Sequence, residues 1–407
     1  MQRDTYQLFS EGRIGPLTMP NRLVRSATWD PSILQERRMS DAVLAFYRRV
    51  AAGGVGTIIT GDFSAVPDGL LGPHGAAVSC SDAWIEGFGK LVLVVRDAAP
   101  RCKIVAQISA GYPGVAPSAI RSPYPGEPAR PLSASEIGKI VDCLAKTIAW
   151  LKGEGFDGVQ LHAAHGGLLS SFLSPYANRR RDTYGGSERN RARIIQEIVS
   201  QARTMVGAFP IMIKMNCTDF LNGGIDGDEF TLLADAVEAA GIDAIEISGG
   251  HWDCLARTEA ELGFRPVPAP ESHTRLKRPE RQSYFLRYVE RLALGIPIIL
   301  VGGNRDVERL ERILRQGMVD FIALCRPLIS EPDLPARWRE GRGSSGTDCV
   351  SCNSCIYEMY TSLDRGEPGL VRCLVKDDRS QVRAAQAWLS SWAEENILRE
   401  GGVDGLR

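Results

Sequence analysis

Short β-branched runs recur along the chain: LVRS (23–26), VGTIIT (55–60), KIVAQIS (103–109), GVQLH (158–162), PIMIKM (210–215), AIEIS (244–248), PIIL (297–300) and DFIAL (320–324). Apolar residues fill neighbouring positions in them, as strands covered on both faces require. Between them lie stretches with apolar residues every three or four positions, such as ASEIGKIVDCLAKTIAWLK (134–152) and RARIIQEIVSQARTMV (191–206). That spacing predicts amphipathic helices. Ser133 and Ser135 offer a cap for the first, and Gly153 follows its end. Eight such strand–helix units predict an α/β fold, a (β/α)8 TIM barrel, with catalytic groups at the carboxyl ends of its strands. A doubly wound sheet would place a GxGxxG fingerprint after its first strand, and none follows residues 23–26.

Composition narrows the function classes. The 407 residues are 44% hydrophobic and 24% charged, which excludes disorder. Forty-eight basic against forty-nine acidic residues leave a net charge of −1, so no positive field is present to hold nucleic acid. No run of eighteen apolar residues occurs, and the start, MQRDTYQLFSEGRIGPL, carries charges where a secretion signal needs an apolar stretch. A cytoplasmic protein without membrane contact is expected. In that compartment thiols stay reduced, so clustering among the ten cysteines points to metal or redox chemistry rather than a disulfide frame. Near residue 341 the chain turns to GRGSSGTD, which divides it into a barrel (1–341) and an extension (342–407) with four cysteines and a terminal helix at 382–399. The segment from His251 to Gln282 is long for a connection after the sixth strand, and loops of that size shape substrate sites.

Three groups of residues can carry chemistry. His162 and His165 stand at the mouth of the fourth strand, within GVQLHAAHGGLLSSFLSPYANRRRDTYGGSERNRAR (158–193). Two imidazoles there can hold a developing oxyanion by hydrogen bonds, or serve the fold alone; for a metal pair, no third ligand of obvious type is near. Lys214, in the fifth strand, puts a charge inside the barrel and requires an anionic partner. Cys349, Cys352 and Cys355, two residues apart, are followed by Cys373. Four thiolates so placed can wrap a [4Fe-4S] cluster or a tetrahedral zinc, or remain unligated.

From LFSEGRIGPLTMPNRLVRSAT (8–28) to DFIALCRPLISEPDLPARWREG (320–341) the chain resembles the old yellow enzyme family of FMN-dependent ene-reductases, in a branch similar to the barrel of 2,4-dienoyl-CoA reductase. The resemblance implies FMN as cofactor and NAD(P)H as reductant. It sets the isoalloxazine against Ser26, Ala27 and Thr28, with Gly61, or Asp62 in the alternative alignment, as part of the floor. It implies that Gln107 bonds the pyrimidine edge and that Lys214 lies beside N1 and O2. It assigns the phosphate to Gly302, Gly303, Cys325 and Arg326, which suit a dianion.

Two departures stand out. The family's tyrosine two places after the histidine pair, the usual proton donor, is replaced by Gly167. The donor is then His251, catalytic in the resembling branch, or Tyr112, Tyr176 or water. The cysteine spacing also differs from that of the relatives with a cluster. Those relatives carry further domains that bind FAD and a pyridine nucleotide, whereas here only residues 374–407 follow the last cysteine. Electrons are therefore expected from NAD(P)H docking over the flavin, or from an external redox partner.

The leading expectation is NAD(P)H-dependent reduction of an α,β-unsaturated carbonyl, a small-molecule substrate. The alternative is a flavin-dependent N-demethylase or amine dehydrogenase with an external acceptor, and a third reading is a flavoprotein that does not turn over. Barrels of this family often associate, which admits a homo-oligomer.

Overall fold

The computed structural model describes residues 2–28, 39–67, 77–79, 87–111, 114–119, 129–266, 268–364 and 371–397. Tyr112, one of the expected proton donors, lies outside them.

Eight parallel strands close into a barrel: β1 (Leu23–Arg25), β2 (Thr57–Val66), β3 (Lys103–Ser109), β4 (Gly158–Ala163), β5 (Ile211–Asn216), β6 (Ala244–Ser248), β7 (Ile298–Leu300) and β8 (Phe321–Leu324). Each pairs with its neighbours in chain order, and β8 returns to β1. The outer layer includes helices α1 (Asp41–Ala52), α2 (Phe88–Ala98), α3 (Ala134–Gly153), α4 (Arg193–Val206), α5 (Gly227–Ala239) and α6 (Val307–Arg315). A reciprocal cap, in which the Ser133 hydroxyl accepts from Glu136 N and the Glu136 carboxylate from Ser133 N, starts α3 where the sequence places it. The sixth connection departs from the repeat. Short turns at Trp252–Ala256, Glu259–Leu262 and Pro279–Arg281 stand there before the four-residue helix Leu286–Val289.

Alternation along the strands sorts the interior into layers. Val24, Ile59, Val105, Met212, Ala244, Ile299, Phe321 and Ala323 fill the lower barrel. An N-terminal hairpin, Gly12–Ile14 against Leu17–Met19, packs Ile14, Leu17 and Met19 into the same cluster. Two residues further along five of the strands the same face carries Ser26, Gln107, Lys214, Glu246 and Cys325. An apolar floor thus supports a polar layer at the carboxyl ends. Register between β2 and β3 shifts between Ile59 and Asp62, so that Asp62 lies opposite Gln107. A bulge of this kind re-aims a side chain next to a functional site.

After the barrel, α7 (Ser354–Asp364) packs against α8 (Val382–Ile397). This part is tied to the barrel by Asn353 Nδ2 donating to Ser272 O (2.8 Å), Arg326 to Asn353, and Asp348 N to Glu331 (2.6 Å). Among the described residues Cys143 is disulfide-bonded and eight other cysteines are free thiols. No helix among the described residues is long and apolar enough to cross a membrane.

Candidate active site

Lys214 and Glu246 meet inside the barrel at 3.2 Å, both buried. They are neighbours in register on β5 and β6, and His162 is the neighbour of Lys214 on the other side. Ser26 Oγ accepts from Lys214 Nζ (3.0 Å) and donates to Glu246 Oε1 (2.6 Å). Gln160 Nε2 donates to Glu246 Oε2 (2.7 Å), and Gln107 Nε2 to Gln160 Oε1 (2.7 Å). The buried charge predicted to need an anion has therefore found Glu246. Neither Glu246 nor Gln160 stood out in the sequence, although an acid inside the apolar run AIEIS, facing a lysine inside PIMIKM, is the signal that could have exposed the pair.

The two histidines stand edge to face, ring centroids 5.1 Å apart. His165 adopts a left-handed backbone conformation (φ 62°), a costly state for a side chain of this size. It is held by Asn216 Oδ1, which accepts from its backbone N–H (3.1 Å), and by Ser248 Oγ at 2.7 Å from its Nε2. Burial drives both imidazoles well below the usual histidine pKa; Lys214 adds to this at each, and His165 at His162. They are neutral at pH 7. His162 Nδ1 accepts from Ala164 N (3.4 Å), which puts its proton on Nε2.

His251 lies against the same turn. An added Cβ at Gly166 (φ +80°) would come within 3.0 Å of its ring. Its Nδ1 accepts from Asp253 N (3.1 Å) and lies 3.6 Å from Asp253 Oδ1, and its buried Nε2 has no partner among the described residues. Tyr176 is less available, since its hydroxyl donates to Asp253 Oδ2 (3.0 Å), and burial and that carboxylate raise its pKa. Asp62 is a further buried acid. Ser109 Oγ donates to its Oδ2 (2.7 Å), Oδ1 has no partner among the described residues, and burial raises its carboxyl to about 7 against the opposing pull of Ser109 and Lys214.

The residues present fit FMN. Lys214 uses two of its three ammonium hydrogens on Ser26 and Glu246. Gln107 Oε1 accepts no hydrogen bond among the described residues, which leaves an acceptor for the pyrimidine edge. Thr28 Oγ1 lies 3.1 Å from Cys325 Sγ, joining the expected ring site to the expected phosphate site. Gly302 (φ 101°) and Gly303 (φ 73°) use their carbonyls to accept from Tyr284 and Ser283, while their N–H groups donate to nothing among the described residues. Cβ atoms there would strike Tyr284 at 2.7 and 2.9 Å. Arg326 interacts with the same Tyr284 and donates to His273 O (2.9 Å) and Asn353.

The expected metal group is not assembled. Among the described residues no three His, Cys, Asp or Glu stand where they could hold a metal ion. Cys349, Cys352, Cys355 and Cys325 share one neighbourhood, in which burial raises the Cys355 thiol. The Arg326 guanidinium lies in that neighbourhood and favours the thiolate form of Cys355 against burial. Cys373 is the cap of a short helix, Leu374–Asp377, which packs against α7.

Comparison with known proteins decides the family. The model of the NADH:flavin oxidoreductase / NADH oxidase family matches residues 7–345. The chain belongs to that family. It is thereby one of the FMN-dependent oxidoreductases of old yellow enzyme type. A NADH oxidase of Thermoanaerobacter brockii is 32% identical over 371 residues, covering 86% of this chain and 53% of the relative. An N,N-dimethylglycine/sarcosine dehydrogenase of Chromohalobacter salexigens is 27% identical, covering 88% of this chain and 52% of the relative. The chain thus spans about half the length of these curated relatives. A solved 2-naphthoyl-CoA reductase complex superimposes with a TM-score of 0.77 at 24% identity, over 93% of this chain and 58% of that one, a likeness of fold.

Proposed function

We propose that the protein uses NAD(P)H to reduce an activated alkene conjugated to a carbonyl group. The observation that carries this reading is the neutral imidazole of His162 in register beside the buried Lys214, with His165 at the same mouth. FMN, when bound, supplies the two-electron relay between nicotinamide and alkene. Ser26, Ala27, Thr28, Gln107 and Lys214 would hold its ring, with Gly61 or Asp62 at the floor, and Gly302, Gly303, Cys325 and Arg326 its phosphate. Neutral histidines donate hydrogen bonds to the substrate's carbonyl oxygen and stabilise the charge that grows there as the β-carbon is reduced. His251, as the imidazolium with Asp253 Oδ1 3.6 Å from its Nδ1, delivers the proton from Nε2 to the α-carbon, and the neutral ring left behind regains one from solvent; the role is opened by Gly167 and supported by a buried Nε2 without a partner among the described residues.

Replacing His162 and His165 together by alanine is expected to weaken the binding of phenols to the oxidised holoprotein by tenfold or more, roughly one to two lost hydrogen bonds. Unchanged binding in a spectral titration contradicts their role.

Amine oxidation with an external electron acceptor is the second reading. Glu271 favours it: its Oε2 is buried without a partner, and burial raises its pKa. A cationic amine would supply the missing charge. Anaerobic bleaching of the flavin by an amine, with none by NADH or NADPH, marks this reading.

A further inference from the structure

The ion pair inside the barrel has a consequence for redox chemistry. Glu246 is fully buried, and both of its oxygens are engaged: Oε1 by Lys214 and Ser26, Oε2 by Gln160. Its position fixes more than the lysine. Because Glu246 only accepts, Gln160 must turn its NH2 toward it and its carbonyl toward Gln107. Gln107 must then donate, and its own carbonyl is left as the group without a partner. One carboxylate thus sets the direction of a relay across β6, β4 and β3 while it anchors the cation on β5.

Electrostatics gives this arrangement a sign. An ammonium close to the pyrimidine edge of the ring stabilises the electron-rich reduced form and raises its potential. A carboxylate 3.2 Å from that ammonium cancels part of its field. Asp62 and Glu271 also interact with Lys214, and burial raises the pKa of each, to about 7 for Asp62; neither makes a hydrogen bond or ion pair to it among the described residues, as Glu246 does. His162 and His165 are neutral and add no charge.

We propose that Glu246 is the resident counter-ion of Lys214, a positioning residue that fixes the ammonium at the barrel mouth and lowers the potential of the flavin. This rests on the FMN reading above. The sequence motif LVGGN and the phosphate site play no part in it, so potential and cofactor retention are separable.

The test is the midpoint potential of the holoprotein, measured by dye-coupled anaerobic reduction. Glu246→Gln keeps the shape and removes the charge, and is expected to raise the potential by about 30 mV or more, the equivalent of tenfold in a two-electron equilibrium. In a Lys214→Met background the same change is expected to move the potential by less than half as much, because the charge it unmasks is gone. Glu246→Asp, which retains the charge but draws it back by one methylene, is expected to fall between wild type and Glu246→Gln. A purely structural glutamate would shift thermal stability without this order. An unchanged potential in Glu246→Gln, an equal shift with and without Lys214, or an Asp variant at or below wild type each overturns the inference. A wild-type chain that binds no FMN overturns the reading on which it rests.

Discussion

At the scale of single residues, burial shifts the titration of several groups in and around the site. His273 shows the effect most simply. It lies flat between Phe264 and Tyr284, ring centroids 3.6 and 3.9 Å away, and burial followed by the charges of Arg326 and Arg287 lowers its pKa to about 3. The native state keeps it neutral, whereas the unfolded chain takes up a proton below the usual pKa of about 6.5. Acid therefore favours unfolding, and stability is lost as pH falls through that value toward the folded one. Replacing His273 by phenylalanine removes the penalty, so the stability of the variant relative to wild type should improve by about 1.4 kcal/mol between about pH 8 and about pH 5.5. Urea denaturation at the two pH values checks this, and a difference independent of pH contradicts it. For catalysis, His251→Asn is expected to leave flavin reduction by NAD(P)H near wild type and to slow the alkene half-reaction by roughly a hundredfold or more. Stopped-flow measurement of the two half-reactions separates these effects, and equal slowing of both would remove His251 from the donor role.

The histidine pair, Gln107 and Lys214 were legible in the sequence because each is a polar residue at the carboxyl end of an apolar run. Glu246 and Gln160 sit in equally apolar runs, yet their partners lie on other strands, and pairing across a barrel depends on register. The sequence does not distinguish Asp62 from Gly61 as the floor residue, because the bulge between Ile59 and Asp62 is a property of the pairing with β3.

At the scale of elements, the eight strands fall where the β-branched runs lie, since a strand covered on both faces needs little beyond continuous apolar side chains. The hairpin at the chain's start was not legible as a closure for the barrel floor. Its contribution shows only in packing, where Ile14 and Met19 join Val24, Ile59 and Phe321. Met19→Ala should accordingly destabilise the protein by about 2–5 kcal/mol in urea denaturation, the range for a large-to-small change in a packed core. A loss below about 1 kcal/mol would show that the hairpin is not part of the barrel core. The sixth connection resisted reading because its turns are too short to show a helical period. Stacking of Phe264, His273 and Tyr284 organises much of it.

At the scale of the whole molecule, an apolar floor supports a polar layer with a compensated charge, and histidines stand at the mouth. Cysteine spacing carries less than strand pattern does, because ligand geometry depends on how the extension folds against the barrel, which spacing alone does not fix. The most direct test is anaerobic. The full chain reconstituted with FMN is expected to bind the cofactor one to one, to be bleached by NADH or NADPH, and to regain its yellow spectrum on addition of an α,β-unsaturated ketone or thioester. A chain that binds no FMN, or whose flavin is bleached by amines but by neither nicotinamide, contradicts the account.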